Sequence, residues 1–331
     1  MDRQELLKRY EQGERNFSHA NLMGIDLSGL NLNDINLSGA YLSSGKLSRT
    51  HLTGANLKGA FLFRCDLSFA KLGQANLTNA DLTKANLEGA YLVKAKLQGA
   101  KISGAILTGV NFYLADLSGV NLCGANLSGI NLRSANLTNA NLSWANLTGA
   151  RLSGAKLTGS TLNGVKLHAA YMNGVDMSNF DLDGIDLSEA KLSGTNFANA
   201  ILTAANLSDC QMRSANLKNV NMRAANFTNT WLIKADLSES DMSKADFTAS
   251  NLVEANLSDS KLNAANFQAA DLSKANLSNS YLWAATLEDT NLDQANLKGA
   301  SMRGANLTTA HLEKIVYDEK TFFPEGFAIN S

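Results

Sequence analysis

Proline is all but missing from this chain: 331 residues contain one, Pro324. The rest of the backbone can therefore donate every N–H to a hydrogen-bonded ladder. Cysteine is scarce and odd in number. Cys65, Cys123 and Cys210 lie far apart, which excludes a disulfide framework. Cys65 and Cys210 fall at positions otherwise held by alanine and read as small core residues. No run of 18 apolar residues occurs, so no membrane-spanning helix is expected. The first ten residues set the pair Leu6-Leu7 among charges, which excludes a secretory apolar region and makes the cytoplasm the expected location. Net charge is nearly absent, with 29 Lys+Arg against 30 Asp+Glu. No summed field draws the chain toward nucleic acid or an acidic membrane.

Catalytic groupings are missing as well. The histidines number four: His19, His51, His168 and His311. No Cys or His pair has metal-ligand spacing, and no glycine-rich phosphate loop lies between a strand and a helix. The many Asp, Ser and Asn residues follow a repeat instead of gathering at one place. No enzyme, metal site or cofactor is expected.

What is present is one period. From Phe17 to Leu312 a large apolar residue occupies every fifth position, 60 times without insertion or deletion: 47 Leu, 6 Phe, 6 Met and Ile102. We call this residue the centre of its unit. Two places before it stands a small or β-branched residue, Ala in 36 of 60 units; one place before it stands Asn or Asp in 37 of 60. Ser or Thr follows in 31, and two places after the centre lie 21 of the chain's 25 glycines. Ala145-Asn146-Leu147-Thr148-Gly149 is a clean example.

A period of five suits neither common element. On an α-helix the centres would spiral around the rod, and on a strand they would alternate between faces. A heptad seam is excluded too. The pattern works only if the chain bends once per unit, bringing each centre back to one interior. Gly and Asn near each bend suit that backbone.

These units resemble the pentapeptide-repeat family over residues 15–314, in particular its long cyanobacterial members. The resemblance implies an all-β fold: a right-handed quadrilateral β-helix of about 15 four-sided coils, four units per 20 residues. At a strand spacing of ~4.8 Å that rod would be about 72 Å long. The sequence itself supports 20. Phe227, Phe247 and Phe267 are 20 apart and should stack, and Asn holds 10 of 15 sites before the centre in the column that runs from Asn16 to Asn296. Such amides can stack coil over coil.

A coil cannot cover its own ends, so caps are required. Asp2 and Glu5 have capping-box-like spacing, and Leu6, Leu7 and Tyr10 offer an apolar face. We read a short capping helix from about Arg3 to Glu11 within residues 1–14. After Leu312 the pattern fades. Tyr317, Phe322 and Phe327 keep the five-residue phase, while Lys320 and Glu325 break the small-residue rule. Residues 315–331 read as a C-terminal cap or tail, a plug or a dimer contact, so the chain would be a monomer or a dimer through that end.

The four sides of the implied coil differ. The side of Leu27 carries nine carboxylates against three cations, and the side of Leu32 carries nine cations against five carboxylates. The side of Leu22 is mildly basic, and the Asn-ladder side is balanced. Aromatic residues at outward positions are the candidate partner contacts: Tyr41, Phe61 and Phe63, with Tyr281 and Trp283, on the Leu22 side; Tyr91, Tyr171 and Trp231, along with Tyr113, on the Leu32 side.

Three functions compete. A rigid solenoid presents an extended surface to a protein partner, so a non-catalytic interaction scaffold or regulator is the first. The resemblance also implies a DNA mimic that modulates a type II topoisomerase such as gyrase. Here the most acidic side nets only six charges, against about 40 on an equal length of duplex. The third, nucleic-acid binding by the basic side, is opposed by a surplus of only four charges.

Overall fold

A computed structural model describes residues 1–327. The chain divides into two compact units, Met1–Lys166 and Leu167–Ser331.

Helix α1 spans Arg3–Glu11 and opens the first unit. Asp2 caps it, its carboxylate accepting the Glu5 N–H at 2.8 Å. Leu6 is buried, while Leu7 and Tyr10 are half-buried. Tyr10 donates its hydroxyl to the Asn33 carbonyl at 2.9 Å, which ties the helix to the coil beneath it. Arg9 holds Glu14 through two bonds of 2.8 and 2.6 Å.

Beyond α1 both units are β-helices built from single-residue parallel bridges. Partners are 20 residues apart, as in Asn16–Asn36, Tyr41–Phe61 and Asn256–Asn276. The bridging residue is always the one before the centre. The centre and the small residue two places earlier point inward and are buried almost throughout. Each buried Leu contributes about 1.5–3 kcal/mol. Phe227, Phe247 and Phe267 stack as expected, with centroids 4.8 and 4.9 Å apart.

A backbone inventory explains the five-residue unit. In Ala75-Asn76-Leu77-Thr78-Asn79, Ala75 N–H donates to the Leu72 carbonyl at 3.1 Å and closes a turn. Asn76 N–H reaches back to Ala55 at 2.9 Å, while Leu77 and Asn79 reach forward to Lys96 and Gln98 at 2.7 and 2.9 Å. The Thr78 N–H finds no carbonyl and goes to Asn76 Oδ1 at 3.1 Å. Asn or Asp before the centre thus satisfies the one donor that the ladder leaves over. The spare amide N–H₂ then donates to the side chain one coil back, as Asn36 does to Asn16 at 2.9 Å and Asn276 to Asn256 at 3.1 Å.

The corners obey a stricter rule than glycine content suggests. The residue two places after the centre has φ between +52° and +72° in all 60 units. With the bond from the small residue back to the centre, this is a type II turn. Glycine fills 21 corners, so 39 other residues hold a left-handed backbone, among them Phe69, Leu114 and Trp144. Twenty consecutive corners, from Asn199 to Gln294, contain no glycine.

Where Ala gives way to Ser, Thr or Cys inside the core, the new proton finds a carbonyl at most positions, while the buried Ser160 hydroxyl has no hydrogen-bond partner. Thr50 donates to Leu27 at 2.9 Å, Cys65 to Leu42 at 2.8 Å and Thr195 to Met172 at 2.9 Å. Ser240 donates to Leu217 at 2.7 Å and accepts the Val220 N–H at 2.9 Å, so its hydroxyl bridges a corner of the preceding coil.

The C-terminal segment departs from the sequence reading. Val316 still bridges Asn296, but Phe322 bridges Ser301, a spacing of 21. The register slips by one residue. Phe322 therefore stands outside, in the bridging place, and Thr321 takes the small-residue place, its hydroxyl on the Leu297 carbonyl at 2.9 Å. Phe323 becomes the inward residue, edge-on to Tyr317 at 5.6 Å and stacked on Phe327 at 5.7 Å. The five-residue phase expected for Phe322 and Phe327 is thus corrected. Of the expected tail 315–331, residues 328–331 lie outside the described residues.

Candidate functional site

Six of the eight aromatic residues singled out from the sequence occupy bridging positions: Tyr41, Phe61, Tyr91, Tyr171, Trp231 and Tyr281. An aromatic there gives up the Asn or Asp oxygen that would satisfy its own turn. It breaks a local rule without a local return, which marks the position for another use.

In the first unit, Tyr41 and Phe61 lie face to face, with centroids 4.9 Å apart and rings 2° from parallel. They remain 45% and 42% exposed. They border an open recess of about 510 Å³ lined also by His19, Gly39, Lys58, Gly59 and Asn79. Gly59 has nothing within 4 Å of where a Cβ would stand, so a partner can approach the backbone there. Phe63 is on the same side but corrects the expectation of full exposure: it is half-buried, with the Arg64 guanidinium 5.2 Å from its ring centre. Tyr91 is exposed on the Leu32 side, where Arg133 lies 5.5 Å from the neighbouring Tyr113 ring.

In the second unit, Tyr171 and Trp231 are exposed on the side of Met172. Tyr281 and Trp283 stand on the side of Leu182, and Trp283 is 62% exposed. Arg223, Ser243, Lys244, Asn263, Ala264 and Trp283 line a recess of about 420 Å³. Arg223 is held by Asp241 at 3.3 Å.

Two exposed aromatics escaped the sequence reading. Trp144, at 69%, is more exposed than any of those chosen, and Phe69 is also exposed. Both occupy corners, where the repeat otherwise favours glycine. That misfit was the available signal.

Charge is distributed unevenly within each unit. In the first, Asp26, Asp66 and Glu88 share a side with Lys46, Arg49 and Lys166. In the second, Asp186, Glu189, Asp209, Asp246, Glu288 and Asp289 share one side without any Lys or Arg. Titration is perturbed by the turns themselves. The Ser178 hydroxyl and N–H hold the Asp176 carboxyl below the usual range, and the Ser28 N–H does so for Asp26. Burial pushes the Cys65 and Cys210 thiols up to about 12. Among the described residues no group of three or more His, Cys, Asp or Glu could hold a metal ion, and no helix is long and apolar enough to cross a membrane.

A family model for pentapeptide repeats matches residues 20–59, 60–99, 75–112, 115–154, 145–184, 181–219, 221–259, 240–279 and 275–313. Among solved structures, the chain is similar to HetL of the cyanobacterium Nostoc sp. PCC 7120, a pentapeptide-repeat protein involved in heterocyst differentiation regulation. Identity is 28% over 96% of this chain and 94% of HetL, at a TM-score of 0.20. Rfr23 of the cyanobacterium Cyanothece 51142 is 24% identical over 46% of this chain and 90% of its own, at a TM-score of 0.20. QnrB1, a plasmid-mediated fluoroquinolone resistance protein, is 15% identical over 63% of this chain and 88% of its own, at a TM-score of 0.28. No curated protein matches. With its repeats matched along nearly their whole length, the chain belongs to the pentapeptide-repeat family.

Proposed function

We propose that this chain is a non-enzymatic scaffold or regulator that binds a protein partner through exposed aromatics on a rigid repeat surface. The stacked and exposed Tyr41–Phe61 pair carries the reading. Aromatics at the centre of a contact are the residues that binding energy favours, and a stiff backbone holds them without ordering cost. Tyr91, Tyr171, Trp231, Tyr281 and Trp283 are further contacts, with Phe63 in a supporting place. The reading takes the fold as a right-handed quadrilateral β-helix of about 15 coils, with residues 15–314 as one repeat domain. It places the protein in the cytoplasm, as a monomer or as a dimer through its C-terminal end.

The test is affinity capture from a lysate of the source organism, comparing the wild type with Tyr41→Ser/Phe61→Ser. A protein retained at moderate salt by the wild type and lost by the folded variant supports the reading. Identical capture by both removes it.

One observation favours DNA mimicry and topoisomerase modulation as a second reading: the cation-free acidic side of the second unit. Its six carboxylates span six coils, roughly 24 Å at ~4.8 Å per coil. Duplex DNA carries about 14 charges over that length, so the imitation is thin. A gyrase supercoiling assay decides it; an unchanged rate at saturating protein ends this reading.

A further inference from the structure

We propose that the first unit contains a hinge between two successive coils, held open by Lys101 and Ile106. Among the described residues of this unit, interstrand pairing is missing along one stretch. The N–H groups of Gly99, Ile102, Gly104, Leu107 and Gly109 find no carbonyl in the next coil, and those of Asn121, Asn126 and Asn131 find none in the coil before. The bridges that would join Lys101 to Asn121 and Ile106 to Asn126 are absent. The bridges Asn111–Asn131 and Asp116–Asn136 are present, and Phe112 and Leu117 donate across them at 2.8 Å each. Two adjacent sides are therefore open, and the other two keep their bridges with one bond lost at each edge, from Gly99 and Asn131, like a book with its spine along the Asn111 and Asp116 columns.

The opening coincides with a departure from the repeat. On the first strand of both open sides, Lys101 and Ile106 stand before the centre, so neither caps its turn nor adds an amide to a stack, whereas Asn121 and Asn126 across the gap cap theirs at 3.0 and 3.3 Å. Ile106 interrupts a column that otherwise runs Asn86, Asn126, Asn146. Ile102 is the one β-branched centre among 60. Val120 stands where Ala100 and Ala140 stand one coil to either side.

The core beneath stays closed. Ile102, Leu107, Leu122 and Leu127 are buried, whereas Ala105 and Ala125 are half-buried, unlike Ala85 and Ala145 at the same register. The ladder has parted without exposing the centres. Opening further there breaks no backbone bonds on the open sides, so this seam bends before any other part of the unit. The Tyr41–Phe61 pair lies before the seam, and Trp144 lies beyond it on the open Leu22 side. Bending changes the distance between them, and thus adjusts the contact surface. That consequence rests on the scaffold reading; the hinge does not.

Site-resolved hydrogen exchange on the full chain, without any partner, tests the seam. Amides of Ile102, Gly104, Leu107, Gly109, Asn121 and Asn126 should exchange at least about tenfold faster than those of Leu82, Lys84, Leu87 and Gly89. Equal protection overturns the proposal. In Lys101→Asn/Ile106→Asn the seam amides should slow to the neighbours' rates. Unchanged fast exchange overturns the proposal, provided that amides around Phe247 keep their protection. If the double variant does not fold, Ile106→Asn alone serves, with Leu107 and Asn126 as its reporters. Motion is read from spin labels at Ser43→Cys and Ser143→Cys in a Cys123→Ser background, about 24 Å apart at ~4.8 Å per coil. A broad distance distribution that narrows in the double variant is expected. A single narrow distance in the parent overturns the hinge.

Discussion

The ring of Phe69 lies on the backbone of Gly89, the corner one coil further on: a methyl group added at Gly89 would meet Phe69 Cε1 at 2.5 Å. The glycine at 89 is thus required twice, once by its φ of +62° and once by the ring above it. Gly59 has the same conformation, φ +63°, with nothing within 4 Å. Gly59→Ala should cost about 1–2 kcal/mol, the left-handed penalty alone. Gly89→Ala should cost more by about 1 kcal/mol or above, and Phe69→Ala in the same chain should remove that excess. Thermal unfolding of the four variants checks this cycle.

Phe247 sits between Phe227 and Phe267 in a closed stack. Phe247→Ala should destabilise by roughly 3–5 kcal/mol, through lost transfer energy and a cavity that the stiff coils cannot collapse. Phe247→Leu should cost much less, because Leu fills 47 of the 60 equivalent places. Denaturant titration of the second unit's near-ultraviolet signal measures both. Equal costs would show that the stack is incidental.

Only one of the three thiols should react. Cys65 and Cys210 are buried, donate to the Leu42 and Leu187 carbonyls, and have pKa values pushed up to about 12 by burial. Cys123 is exposed. A thiol reagent at neutral pH should modify one cysteine in the native protein and three after denaturation. A second reactive thiol before unfolding would contradict the core placement.

Acid should loosen the C-terminal end. The Gly299 N–H, with Thr321 and the Lys320 N–H, holds the Asp318 carboxyl below the usual carboxylate range. A lowered carboxylate stabilises fully above its unfolded value, about 3.9, and the contribution disappears as pH falls through the lower folded value. Protection of the amides from Ala300 to Phe322 should be flat between about pH 5 and 8 and fall below about 4. Asp318→Asn should weaken protection at neutral pH and flatten the acid limb. At its own turn, Asp176→Asn should flatten the acid dependence of the Ser178 amide without loss at neutral pH, since Asn serves the same turn elsewhere in the chain.

Much of this architecture could be read from the chain. The inward Leu column, the bend per unit and the 20-residue return follow from a period that no helix or strand accommodates, and Phe227, Phe247 and Phe267 mark the return directly. Asn as the satisfier of a spare backbone donor followed from its chemistry. Other features needed coordinates. Left-handed backbone at Phe69 and Trp144 is imposed by the repeat against local preference, so their side chains gave no sign of it. Phe63 is covered by its neighbour Arg64, a rotamer effect invisible to position counting. The slip at Phe322 comes from one extra residue between the Val316 and Phe322 bridges. The open ladder near Ile102 depends on pairing across 20 residues, although Ile102, Ile106 and Val120 were each departures from the repeat.

The central claim, that outward aromatics in bridging positions contact a partner, is tested most directly by photo-crosslinking. A benzophenone amino acid would replace Tyr41, and as a control Asn141, in the same column of the first unit. Crosslinking in a lysate of the source organism should yield one specific adduct from position 41, none from position 141, and none from position 41 when Phe61→Ser is added. Matching adducts from both positions, or an adduct indifferent to Phe61, would contradict the account.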